Sequence, residues 1–143
     1  MTIDEILDEW SNDCRIDELD LQKSSRIIPE LHSKYLQILR VEKYNLIKQK
    51  AAYKRMRLKK YEFLINPDEE GFEMGWEIPP QGKLLKNETG LYLDGDKDLL
   101  NFEIKINELE DKVEYIRDIM RNIRERNFII RNMIEEKKFL EGG

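Results

Sequence analysis

The sequence predicts a mainly α protein, built of long helices with a small β-hairpin or loop insertion and a coiled-coil-like C-terminal helix. Three observations lead there. Charged residues make up 38% of the 143-residue chain and hydrophobic residues 40%, a balance that suits amphipathic helices better than a compact α/β enzyme. From Leu99 to Ile134 residues that are apolar except for Asn127 recur at alternating intervals of three and four, the period of a helical seam. Upstream, a highly charged stretch carries two apolar stripes at helical spacing where a surface helix normally shows one. The length predicts a single domain, 1–143; the patterns divide it into an N-terminal helical region over 1–65 with a basic segment over 40–63, a loop or hairpin over 66–95, and a C-terminal oligomerisation helix or helices over 96–143.

The first element is a short helix. Thr2 and Glu5 form a capping box, in which hydroxyl and carboxylate each satisfy a free backbone N–H. Ile6, Leu7 and Trp10 give the helix an apolar side, and Ser11-Asn12-Asp13 ends it. A long helix follows over about 20–65, with Pro29 either in its first turn or at a kink. Tyr35, Leu39, Leu46, Tyr53 and Leu64 line one side of it. Tyr44, Ile47, Ala51 and Leu58 line roughly the opposite side, so the helix is expected to be sandwiched between its own domain and a neighbouring subunit.

Asn66-Pro67 stops that helix. Phe72, Met74, Trp76 and Ile78 then alternate with polar residues or glycine, which predicts a half-buried strand. Pro79-Pro80-Gln81-Gly82 reads as a turn, and Leu84-Leu85 with Leu91-Tyr92-Leu93 as a return strand. Asp96 or Asp98 caps the last helix. Its seam runs Leu99, Phe102, Ile106, Leu109, Val113, Ile116, Met120, Ile123, Asn127, Ile130 and Ile134, with a break near Asn122–Asn127 left open. Gly142-Gly143 supplies the stop.

Composition excludes several classes. Cys14 is the single cysteine, so there is no intrachain disulfide, and a reducing intracellular setting is the simpler reading. No apolar run reaches the ~20 residues of a membrane span, and the acidic N-terminus lacks the apolar core of a signal peptide. His32 is the only histidine, which speaks against a zinc site or a catalytic triad. Asp94-Gly95-Asp96 resembles the start of a calcium loop, but its glycine is misplaced and Lys105 stands where the closing carboxylate belongs. With no phosphate-binding glycine loop either, the expectation is a protein that is not an enzyme and needs no metal or cofactor.

Charge is distributed unevenly. The net value is −5, yet residues 43–61 hold eight Lys/Arg and no acid, whereas residues 1–20 hold eight acids. Lys50, Lys54 and Arg57 follow 4–3 spacing on one helix face, and Lys48, Arg55 and Lys59 line another. Lys60 and the aromatic residues Tyr44, Tyr53, Tyr61 and Phe63 lie in the same stretch. Single-strand binders combine such a cationic track with aromatic faces for bases. Two other readings stay open on this pattern, a solvated helix face and a protein contact.

At these residues the chain resembles the UvsY recombination-mediator family of T4-like tailed phages. Ile16-Asp17 with Leu21-Gln22, Arg55-Met56-Arg57-Leu58 with Tyr61, the alternating Phe72, Met74 and Trp76, Asp96-Lys97-Asp98-Leu99-Leu100, and Phe128-x-Ile130-Arg131 with Met133 and Phe139 carry the resemblance in order. It implies a ring-type homo-oligomer of the hexamer–heptamer class, assembled largely through the C-terminal helix. It also implies single-stranded DNA binding, contact with the phage single-strand-binding protein, and loading of a RecA-like phage recombinase in the cytoplasm of an infected host cell. Arg55 and Arg57 match the family's DNA-contacting basic pair, with Arg55 where Lys is common, which changes geometry but not charge. Lys59 and Lys60 make the track more basic than the family pattern.

The expected DNA-binding residues are therefore Lys48, Lys50, Tyr53, Lys54, Arg55, Arg57, Lys59, Lys60 and Tyr61. The expected oligomerisation residues are Ile116, Met120, Ile123, Phe128, Ile130, Met133 and Ile134. The alternative for the seam is packing on the long helix within one subunit, wholly or in the stretch before Asn122. The alternative function is a coiled-coil structural or assembly protein that ignores nucleic acid.

Overall fold

The computed structural model describes residues 1–142. Its elements are helices α1 (Ile3–Asp13), α2 (Leu21–Arg26), α3 (Ile28–Ile65), α4 (Glu69–Glu73), α5 (Thr89–Asp94) and α6 (Lys97–Leu140), with a 3-10 turn at Lys86–Glu88. The chain forms two compact units, one of Met1–Lys43 with Glu110–Gly143 and one of Tyr44–Leu109. Helices α3 and α6 each contribute to both.

In the first unit, Thr2 and Glu5 close the expected capping box, each backbone N–H meeting the other residue's side chain at 3.1 Å. Helix α2 ends at Ile27, whose N–H donates to the Lys23 carbonyl at 3.2 Å. Pro29 sits in the first turn of α3, where its missing N–H costs nothing, so this proline starts a helix. The core joins Ile6 of α1, Leu21 of α2, Ile28, Leu31 and Tyr35 of α3, and Ile116, Ile119, Met120, Ile123 and Ile130 of α6.

Within the single chain, the C-terminal seam packs into this core. Ile116, Met120, Ile123 and Ile130 are buried against helices of their own chain, and Met133 and Ile134 pack on the same cluster half-buried. Only Phe128 among the residues expected to oligomerise is exposed, at 67%. Helix α6 runs unbroken through Asn122–Asn127. The polar seam position is filled by Arg126, 3% exposed, while Asn127 faces solvent. Arg126 donates to the Cys14 carbonyl at 2.7 Å and lies 5.7 Å from the Trp10 ring centroid. Gly142, at φ 74°, follows the end of α6; the other half of the expected glycine stop, Gly143, lies outside the described residues.

In the second unit the expected β-hairpin is absent and no strand is present among the described residues: α4, the 3-10 turn and α5 flank residues 74–85, which have no regular structure. Asp68 caps α4 by accepting from the Gly71 N–H at 2.8 Å. The helix then closes in a Schellman motif: Trp76 N–H donates to the Gly71 carbonyl and Gly75 N–H to the Phe72 carbonyl, both at 3.0 Å. Gly75 takes φ 83°, the left-handed position this motif gives to glycine. The reason lies in Phe72 and Trp76. Four residues apart, they both meet the Phe63 ring edge-on, at 5.1 and 5.6 Å between centroids. Gly71 sits against the same ring so closely that a Cβ would overlap it. Leu91–Leu93, the expected return strand, lies in α5.

Leu84 N–H donates to the Leu64 carbonyl at 2.9 Å, pinning the loop to the end of α3. Leu64, Leu84, Leu93 and Leu99 form the small core, with Tyr53, Met56 and Tyr61 packed against it.

Candidate nucleic-acid interface

All nine residues expected to bind DNA lie on α3 within the second unit. Their environments differ. Lys48, Lys50, Lys54, Arg55 and Lys59 are exposed, and Arg57 is partly so. Lys60 is only 6% exposed. Its ammonium reaches Asp98 at 2.6 Å and Asp96 at 2.8 Å and lies 5.1 Å from the Trp76 ring centroid. Lys60 is thus an internal anchor between α3 and the cap of α6, where Asp96 also accepts from the Leu99 N–H at 3.0 Å.

Tyr53 and Tyr61 are drawn inward too. Both pack on the leucine core, and the Tyr53 hydroxyl donates to Glu103 at 2.9 Å. Burial first, and the Glu103 carboxylate second, push the Tyr53 phenol above its ordinary pKa. Arg57 leans toward Asp94, 3.5 Å away, so its contact is long and solvent-screened, the kind that contributes little. Arg55, two residues earlier, occupies another face, since residues two apart on a helix do not face each other.

Of the acidic N-terminal residues, Glu9 and Asp13 pair with Lys34, at 2.5 and 2.6 Å, inside the first unit. On α3 there is an exposed cationic surface: Lys54 on one row, and Lys48, Arg55 and Lys59 on another. Between residues 43 and 61 the helix itself carries no carboxylate to neutralise it.

Sequence reasoning missed two structural residues here. Arg126 and Lys60 are buried cations, and nothing in the local pattern separates them from their exposed neighbours; only the distant partners, Cys14 and Asp96 with Asp98, do so. Beside the lysines runs an exposed stripe of Tyr44, Ile47 and Leu58, which periodicity reveals as a face without saying what lies against it.

A model of the family "Recombination, repair and ssDNA binding protein UvsY" matches residues 9–143. The chain belongs to the UvsY family. Membership places it among recombination, repair and single-stranded-DNA-binding proteins. Two crystal structures of the bacteriophage T4 recombination mediator protein UvsY share the fold. The one in lattice type IV aligns with TM-score 0.82 at 19% identity, covering 97% of this chain and 99% of that one. The one in lattice type II aligns with TM-score 0.81 at 21% identity, covering 100% and 99%. No curated protein matches the sequence. No helix among the described residues is long and apolar enough to cross a membrane, and no cluster of His, Cys, Asp and Glu among them could hold a metal ion.

Proposed function

We propose that this UvsY-family chain is a recombination mediator that binds single-stranded DNA through the exposed cations of α3. It contacts the single-strand-binding protein and promotes loading of a RecA-like recombinase. The observation that carries the reading is the row of exposed cations on a stretch of α3, residues 43–61, that contains no acidic residue of its own, in a family of single-stranded-DNA-binding proteins. Lys48, Arg55 and Lys59 on one row and Lys54, with Lys50 and Arg57, on the other supply the phosphate contacts. No covalent step is needed. The mediator works by differential affinity for DNA states, holding the strand in a form that the recombinase captures.

One strip of four to six cations binds weakly alone; repetition around a ring of hexamer–heptamer class raises its effective affinity. Because Ile116, Met120, Ile123 and Ile130 are consumed within the chain, ring assembly falls to the exposed apolar residues near the end of α6. Phe128, Phe139 and Leu140 are 67%, 82% and 76% exposed.

The test is the double variant Arg55→Ala with Arg57→Ala. Each phosphate-binding cation removed takes about 0.7 units from the slope of log affinity against log salt for a single strand. Anisotropy titrations with an oligonucleotide are expected to show binding weakened about tenfold or more and a shallower slope, with sedimentation unchanged. Unaltered titration curves at every salt concentration would refute the assignment.

A further inference from the structure

Resting on the reading that α3 binds single-stranded DNA, we infer that the exposed apolar line Tyr44, Ile47, Ala51 and Leu58 is a base-contacting track, held between two cationic rails. Tyr44, Ile47 and Leu58 are 60%, 63% and 55% exposed, and Ala51 is exposed as well. Intervals of three, four and seven residues keep the line on one helix face. At 1.5 Å per residue it is about 21 Å long.

The flanking charges make this line unlike an ordinary exposed stripe. Lys54 is three residues from Ala51 and four from Leu58, so it borders the line on one side, on the row shared with Lys50 and Arg57. Lys48 is four residues from Tyr44, and Arg55 four from Ala51, so they border the other side with Lys59. Lys48 also reaches over the Tyr44 ring, its ammonium 5.5 Å from the centroid. A strand lying here meets phosphate-binding cations on either side and apolar contact along the middle, the combination that single-strand binding requires. A duplex keeps its base faces stacked inside and offers nothing to such a line, so the track favours unpaired strands.

The same geometry removes the other candidates for base contact on α3. Tyr53 and Tyr61 are packed on the leucine core, and Phe63 is buried under Phe72 and Trp76. Among the tyrosines of this helix segment, Tyr44 is the one whose ring stands in solvent.

The experiment uses the full chain and two labelled oligomers of equal length, oligo-dT and a fully abasic strand that keeps the phosphates. Two variants are compared with the unmodified protein: a line variant, Tyr44→Ser with Leu58→Ser, and a rail variant, Lys48→Gln with Lys54→Gln and Arg55→Gln. The unmodified protein is expected to prefer oligo-dT about tenfold, as base contacts of this kind support. The line variant is expected to bind oligo-dT no better than the abasic strand, with its salt slope unchanged. The rail variant is expected to lose affinity for both strands and to show a shallower slope. A line variant that keeps the full preference for oligo-dT overturns the inference and leaves the proposed function standing. So does a line variant whose DNA-free sedimentation changes, which would make this face a contact between copies. A rail variant that binds both strands as the unmodified protein does defeats the underlying reading of α3 itself.

Discussion

The two units handle charge in opposite ways. In the Met1–Lys43 and Glu110–Gly143 unit, cations near the core are each given a partner. Arg126 has the Cys14 carbonyl, Lys34 has Glu9 and Asp13, and Lys112 meets the buried Glu42 at 3.1 Å. Around them lies a core of isoleucine, leucine and tyrosine drawn from four helices. The Tyr44–Leu109 unit has a smaller core of four leucines with aromatic neighbours, and of its α3 cations only Lys60 is buried. The others are exposed or partly so, on a helix segment that has no carboxylate of its own. Like charges this dense repel one another, a small cost to the free protein that, under the proposed function, binding of a phosphate chain would relieve. The first unit pairs its inner cations, and the second leaves most of the cations of α3 at the surface, where the proposed function uses them.

The strongest way to break that contrast is to place a charge in the seam of the first unit. Ile116 and Ile130 are 0% and 1% exposed, so Ile116→Asp or Ile130→Asp buries a carboxylate with no partner, at a cost of ~4 kcal/mol or more. The expected outcome is loss of the folded chain in denaturant titrations at room temperature, with no smaller, stably folded species in sedimentation. A well-folded monomer from either variant would return these residues to a contact between subunits.

A smaller effect separates the anchor in the second unit from its exposed cations. Lys60→Met removes the ammonium held by Asp96 and Asp98 while keeping the stem that packs near Trp76. Since Asp98 is half exposed, water relieves some of the penalty, and about 2 kcal/mol of stability is expected to go. Binding of single-stranded DNA, measured well below the melting transition, is expected to stay within twofold. A large drop in affinity at unchanged stability would put Lys60 back on the DNA.

The contrast between units also explains how much of the molecule is legible in its sequence. Helix ends are legible in part because their signals are local: the Thr2–Glu5 box marks the start of α1 outright, while the sequence narrows Pro29 to a first turn or a kink and the last cap to Asp96 or Asp98, and the structure selects the first turn and Asp96. The seam of α6 is legible as a face, but spacing says only that a face is covered, not by what. The same chain's own α1, α2 and α3 cover it. The missing hairpin shows the limit of short patterns. Phe72, Met74, Trp76 and Ile78 alternate with period two, yet α4 ends at Glu73 and the turn through Gly75, at φ 83°, brings Trp76 back beside Phe72 on the Phe63 ring, a contact with a residue outside the alternating stretch that the pattern does not contain. At the candidate site, the cationic run is plain, whereas the inward turn of Lys60, Tyr53 and Tyr61 depends on Asp96, Asp98, Glu103 and the leucine core, all distant in sequence.

The smallest effect tests the pairing habit of the first unit through pH. The Tyr35 hydroxyl is buried and donates to Asp13 at 2.9 Å, with the Trp10 ring edge-on at 5.5 Å. Burial first, and the Asp13 carboxylate second, push its phenol well above the ordinary range. In the unfolded chain the same phenol ionises at about 10. Between those two values the unfolded state has released the proton and the folded state has kept it, so stability is whole below pH ~10 and falls as the pH rises beyond it. Tyr35→Phe removes the titrating group together with the hydrogen bond. It is expected to cost about 1 kcal/mol at neutral pH and to flatten the alkaline decline seen in urea titrations between pH ~9 and about 11. An unchanged alkaline slope in the variant would show that another group, outside the Trp10–Asp13–Tyr35 cluster, governs that decline.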